Sequence, residues 1–149
     1  METDILTAIK AALNSDSQLK DAGVKPHAII VSENGDITPS TPLPALAISS
    51  GSVTTRPTDM SGQREMVTFE TTVHVYLEDF SRSNLGPEKP SLDLKTLCNH
   101  VKRILRQNKL DLDIFQAAVG VITFPGYAQR NYIDRWEGRV PFTYRWIQA

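Results

Sequence analysis

The sequence predicts an α+β domain, a mainly antiparallel β-sheet with two principal helices packed on one face. Three stretches predict it. Over residues 131–149 the even positions Trp136, Val140, Phe142, Tyr144 and Trp146 are large and mostly apolar, and Arg135, Glu137, Arg139, Thr143 and Arg145 between them are polar. Over 65–78, Val67, Phe69, Val73, Val75 and Leu77 alternate with Thr68, Glu70, Thr72, His74 and Glu78, with Thr71 on the apolar side. A period of two marks a strand with one buried face. Over 91–107, Leu94, Leu97, Cys98, Val101, Ile104 and Leu105 recur at helical spacing. Helix, strands, helix, strands, joined by hairpin-like turns or by one helix, is an α+β order.

The first helix is expected over 3–13, where Ile5, Ala8, Ile9, Ala12 and Leu13 share a face and Thr3 or Asp4 can cap. Residues 16–20 add one further turn, ended by Gly23. The apolar run 27–31 is followed by a turn at 33–36, whose Asn34-Gly35 pair suits positive φ. Three prolines, Pro39, Pro42 and Pro44, make 38–44 an extended connection, and 45–48 a short buried strand entered through Pro44. Residues 49–63, rich in Ser, Thr, Gly and Pro, read as a mobile loop or the arm of a hairpin. The strand over 65–78 is long against a usual length near 5–6 residues. A second flexible loop covers 79–90, and Ser91 can cap the second helix. The β-branched Val119, Val121 and Ile122 place a strand at 117–124, and Pro125-Gly126 turns the chain into the final strand. Pro141 on that strand's polar face suggests an edge position or a bulge. The final strand is expected to complete the sheet.

At 149 residues the chain reads as one domain, long enough to fold without disulfide or metal. The net charge of −1 argues against general nucleic-acid binding, which needs a dense basic face. Cys98 is the sole cysteine, so no intramolecular disulfide forms, which fits a reducing compartment. Early acids and the lack of a long apolar run speak against a secretory signal or a membrane span, so a soluble protein made in a cytoplasm is expected.

Residue chemistry offers little catalysis. His27, His74 and His100 are far apart, with no metal-ligand spacing. His74 shares a strand face with Glu70 and Glu78, but four residues along a strand span about 13 Å, and the plainer reading is a solvent-facing strand. Cys98 sits on an apolar stripe and reads as a small packed hydrophobe. No nucleophile elbow or phosphate loop is present. Catalytic, cofactor-binding and metal sites are therefore all expected to be absent. Lys95, His100, Lys102, Arg103, Arg106 and Lys109 give the second helix a basic flank, read either as a nucleic-acid or acidic-partner surface or as a solvated face near a helix C-terminus. The aromatic strand suits core or subunit interface better than a ligand site.

With these elements in place, the chain resembles tail terminator (tail completion) proteins of long-tailed bacteriophages and related head–tail joining proteins. The short first helix, the Pro-preceded strand at 43–48, the polar loop, the long alternating strand ending in Glu78, the helix and the final Trp136-to-Trp146 strand carry the resemblance over nearly the full chain. It implies a small α+β subunit of a homo-hexameric ring that caps the finished tail tube, stops its polymerisation and joins the head connector. It further implies a structural, non-enzymatic protein without cofactors, located in the virion tail or neck after assembly in the bacterial host cytoplasm. Its expected partners are other copies of itself, the tail tube protein, the head–tail connector or neck protein and the sheath protein, with no membrane and no specific nucleic acid. The long 38–44 and 49–63 segments leave a different neck component as the alternative, and a nucleic-acid accessory role for the basic helix ranks below that. Loop position and exposure pattern nominate Arg56, Arg64, Arg82, Arg135 and Arg139 as interface residues.

Overall fold

The computed structural model describes residues 2–37, 41–58, 63–78, 89–107, 116–130 and 133–148. In chain order these form α1 (Glu2–Asn14), α2 (Ser17–Asp21), a 3-10 turn (Pro26–Ala28), β1 (Ile29–Val31), β2 (Ala45–Pro57), β3 (Glu65–Glu78), α3 (Lys89–Gln107), β4 (Gln116–Val119), β5 (Thr123–Arg130) and β6 (Ile133–Gln148). The strands make one six-stranded sheet in the order β1-β2-β3-β6-β4, with β5 also pairing β6. Among the described strands only β1 and β2 pair in parallel; the other pairs are antiparallel. This is the α+β fold the sequence predicts.

The main core lies between the helices and one face of the sheet. Ile5, Ile9, Ala12 and Leu13 of α1 and Leu94, Leu97, Cys98, Val101, Ile104 and Leu105 of α3 pack against Val67, Phe69, Val73, Val75, Val140, Phe142, Tyr144 and Trp146. Each large apolar side chain so buried contributes about 1.5–3 kcal/mol. Thr71, the one hydroxyl on this face of β3, is buried and donates to the Phe142 carbonyl at 3.2 Å. Asp16 caps α2, accepting from the Gln18 and Leu19 amides at 2.9 and 3.1 Å, and its second oxygen takes Arg103 Nη2 at 3.3 Å, which ties α2 to α3.

Several elements differ from the sequence reading. The strand entered through Pro44 does not stop at Ile48; β2 continues to Pro57, so most of 49–63 is the arm of a hairpin with β3, the second of the two readings its residues allow. Residues 50–57 are exposed at every position and show no period, so the sequence does not choose between loop and strand there. The second predicted loop, 79–90, lies outside the described residues except for Lys89 and Pro90, which already belong to α3, two residues ahead of the expected Ser91 cap. The expected strand 117–124 is two strands, β4 and β5, and Pro125-Gly126 sits inside β5 at a register shift rather than in a turn. Pro141 is on no edge: β6 is an interior strand. The proline falls where β6 changes partner, between the Arg139↔Thr123 and Phe142↔Val119 pairs. Its carbonyl accepts from Gly120 N at 2.9 Å, so its missing N–H points into the gap between β4 and β5, where no ladder bond is lost.

Gly138 marks a close helix–sheet contact. A Cβ there would stand 2.6 Å from Cys98 Sγ and 3.4 Å from Leu94 Cδ1. Gly138→Ala is expected to destabilise the fold by about 1–3 kcal/mol through overpacking. Adding Cys98→Ala should restore part of that loss; urea titration of the two single variants and the double variant reads the coupling.

Candidate functional site

The opposite face of the sheet is divided. Its first half is covered by the β1–β2 connection; its second half is open among the described residues.

Under the connection, Ala28, Ile37, Ala45, Ala47 and Tyr76 form a second, small apolar cluster. Beside it the β3–β6 register sets His74 opposite Arg139 and Tyr76 opposite Glu137, and the β2–β3 register sets Ser49 opposite Thr72, two pairs from His74 and on the same face. The side chains join. Ser49 Oγ lies 2.9 Å from His74 Nε2, and His74 Nδ1 lies 3.3 Å from Glu137 Oε1. Tyr76 Oη donates towards Glu137 Oε1 at 3.0 Å and also faces the Gly35 carbonyl. Arg139 Nη2 donates to Glu137 Oε2 at 3.1 Å. Ser49, His74 and Glu137 are all buried.

The electrostatics assign the protons. Burial alone would raise the Glu137 pKa, but hydrogen bonds from His74, Arg139 and Tyr76 and the Arg139 charge outweigh it and hold the carboxyl down at about 2. An ionised carboxylate only accepts, so His74 Nδ1 carries the proton that faces it; in the neutral ring Nε2 then accepts from the Ser49 hydroxyl.

Serine, histidine and acid in this order are the members of a nucleophilic triad. Here the arrangement is sealed. A Cβ on Gly35, which has φ +76°, would fall 2.2 Å from His74 Nε2, so the 32–37 turn lies directly on the imidazole. That turn is itself fixed: Ser32 N donates to the Ile48 carbonyl at 2.9 Å, and Asn34 Oδ1 accepts from Ser32 Oγ and Asp36 N, each at 3.1 Å. The chemistry the network performs is therefore anchoring: it satisfies buried polar groups and holds the connection against the sheet.

The open half of this face carries Thr54, Arg56, Met66, Thr68 and Arg145, which with Thr55 line a shallow groove. Ile147 nearby is 48% exposed and Val53, at the sheet edge, 43%. Of the predicted interface residues, Arg56 lies in this groove and is exposed. Arg64 is exposed at the end of the hairpin, its carbonyl accepting from Thr58 N at 3.0 Å. Arg139 is half-exposed but its Nη2 is engaged by Glu137, and its Nε has no partner among the described residues. The Arg135 backbone in β6 pairs with Glu78 of β3; its side chain, and all of Arg82, lie outside the described residues. Arg56 shares the groove with Arg145, and Arg139 joins the buried network.

The buried network was missed. The sequence reading left His74 facing solvent with Glu70 and Glu78 as neighbours; the structure buries it and gives it Glu137, a partner 63 positions away. The available signal was parity: His74 and Tyr76 share the polar face of one strand and Glu137 and Arg139 that of another. Among the described residues no group of three His, Cys, Asp or Glu is placed to hold a metal. Burial pushes the Cys98 thiol up to about 12, which keeps it protonated and unreactive. The basic flank of α3 forms a shallow groove of Asn99, Lys102, Arg103 and Arg106, in which Arg103 is already engaged by Asp16 and by Gln18 Oε1 at 2.6 Å. No described helix is long and apolar enough to cross a membrane.

Compared with known proteins, the chain matches no family model and no curated sequence.

Glu137 gives the fold a pH dependence of defined sign. Its folded value of about 2 lies below its ordinary 4.5, so its stabilisation is complete above about pH 4.5 and is lost as the pH falls towards 2. Glu137→Gln is expected to cost about 1–3 kcal/mol at neutral pH, because His74 and Arg139 lose an ionised acceptor. It should also flatten the stability profile between pH 4.5 and 2, measured by denaturant titration at each pH; an unchanged slope would assign the acid sensitivity to other carboxylates.

Proposed function

We propose that the chain is a structural subunit of a ring that caps a phage tail tube, ends its polymerisation and presents the head-joining surface. The observation that carries this reading is the outer half of β2. Residues 50–57 are exposed at every position; β3 pairs with Val53–Pro57 on one side, after a register shift between Ser50 and Val53, and the segment has no partner strand on the other side among the described residues. An ordered strand that leaves a backbone edge unpaired is a template for another chain. Beside it lies an open face with two arginines and exposed Ile147, while the catalytic-looking side chains are sealed beneath the 32–37 turn. Exposed binding surface and shielded polar chemistry support a role in assembly rather than catalysis. The element order that resembles tail terminators supplies the kind of assembly. A neck component other than the terminator would use the same surfaces.

The first test is solution mass across a concentration series, with negative-stain images of the same sample and a tube-growth assay. A particle near six times the 16.6 kDa chain mass, with a central hole, that halts elongation of polymerising tail tubes is the expected result. A monomer at every concentration that leaves tube growth unchanged would sink the reading.

A nucleic-acid role has the α3 groove as its one supporting feature. Lys102→Glu with Arg106→Glu should leave assembly intact, and salt-dependent nucleic-acid binding abolished by this pair would favour that role instead.

A further inference from the structure

Among the described strands two stretches of sheet edge at one level have no partner, and they match. On one side the outer half of β2 has no described partner beyond Ile48, the last residue covered by β1. On the other side β4 pairs only with β6 among the described strands. Both lie at one level: Val53 is opposite Phe69, Phe69 opposite Tyr144, and Tyr144 opposite Ala117. Successive antiparallel pairings make β2 and β4 run in opposite senses. Two copies set side by side in the same orientation would therefore meet as an antiparallel pair.

The backbone groups are aimed for this. The Pro141 carbonyl accepts from Gly120, so odd residues of β6 direct their polar groups towards β4. Alternation across the registers then turns Val53 and Thr55 outward on β2, and Ala117 and Val119 outward on β4. Pro57, which lacks an N–H, also falls at an outward position, where no bond to β3 is forfeited. Edge strands are commonly protected by charge. Here residues 50–55 carry none, and neither do Gln116, Ala117, Ala118 and Val119. Ala117 and Ala118 are exposed, and their small side chains allow close approach.

We propose that the ring subunits join by sheet continuation, the outer half of β2 of one copy pairing antiparallel with β4 of the next. This rests on the ring reading for its biological setting and names the surfaces that build the ring. The pairing is heterologous, since each copy presents one edge of each kind, and so it propagates until the rotation between copies closes.

Cross-linking tests it. The β2 and β4 edges of one copy are three strand spacings apart, about 14 Å, too far for an intrachain disulfide. A Val53→Cys/Ala117→Cys chain, oxidised with diamide, should give a ladder of dimer, trimer and higher species on non-reducing gels. Each single variant should give no ladder, and circular dichroism confirms that the variants fold. In a separate variant Thr55→Pro, which deletes one outward N–H at an exposed position, should shift the mass distribution towards smaller species. Multimers that do not cross-link in the double variant, or dimers from Val53→Cys alone, overturn the edge pairing and leave the ring reading standing. A ladder from a protein that never arrests tube growth supports the pairing and removes the tail-capping role. A monomer that neither cross-links nor caps tubes overturns both.

Discussion

The unbroken antiparallel pairing of β3 with β6, from Glu65↔Gln148 to Glu78↔Arg135, is the constraint on which the rest of the molecule depends. Side chains alternate with a period of two, so a slip of one residue would exchange the faces of a whole strand. The observed register puts Val67, Phe69, Val73 and Val75 beside Trp146, Tyr144, Val140 and Gly138 under the helices. The same register brings Tyr76 to Glu137 and His74 to Arg139 on the opposite face. Core and polar network are thus two consequences of one pairing. Gly138 shows how closely they are coupled, because the strand that presents Glu137 also supplies the Cβ-free position against which Cys98 packs.

The network explains why the second face is only half covered. A buried carboxylate is costly unless its lone pairs are met. Glu137 receives His74, Tyr76 and Arg139, and Tyr76 reaches the Gly35 carbonyl of the covering turn. The turn is held over these donors, with Ser32 N on the Ile48 carbonyl and Ile37 in the small apolar cluster. Beyond Ser49 the side chains of β2 are short and polar or, at Arg56, charged, apart from Val53 and Pro57, and no described segment lies over them. The serine–histidine–acid order arises because His74 needs an acceptor for one ring nitrogen and a donor for the other. Geometry of this kind becomes chemistry only with access, and Gly35 against Nε2 removes it.

The legible parts of the sequence were those whose burial has a local period. The stripe of α3, the alternation of β3 and the alternation of β6 could each be read from their own residues, and with them the α+β class. The outer half of β2 could not, since a strand exposed on both faces has no apolar period and its Ser, Thr and Gly resemble a loop. Pro125-Gly126 and Pro141 were misassigned for a related reason. A proline's effect depends on whether its absent N–H points at a partner, and that is a property of neighbouring strands. The Ser49–His74–Glu137 contact needed two cross-strand registers at once. Parity within each strand was visible; their alignment was not.

The division of the β6 outer edge at Pro141 bears on how copies could join. β4 and β5 lie at different levels, β5 beside the part of the sheet where β1 already covers β2, and β4 beside the part where β2 is open. The proposed sheet continuation would thus use one end of each subunit. A contact confined to one end acts as a hinge line rather than as a flat lamination. Sheets also twist by about 20–25° per strand, so successive copies are rotated and do not simply stack in a plane. An edge that is open along its full length would favour indefinite growth. One blocked by β1 at Leu46, Ala47 and Ile48 would leave that covered end free to set the angle between copies, and that angle decides between a closed ring and an open filament.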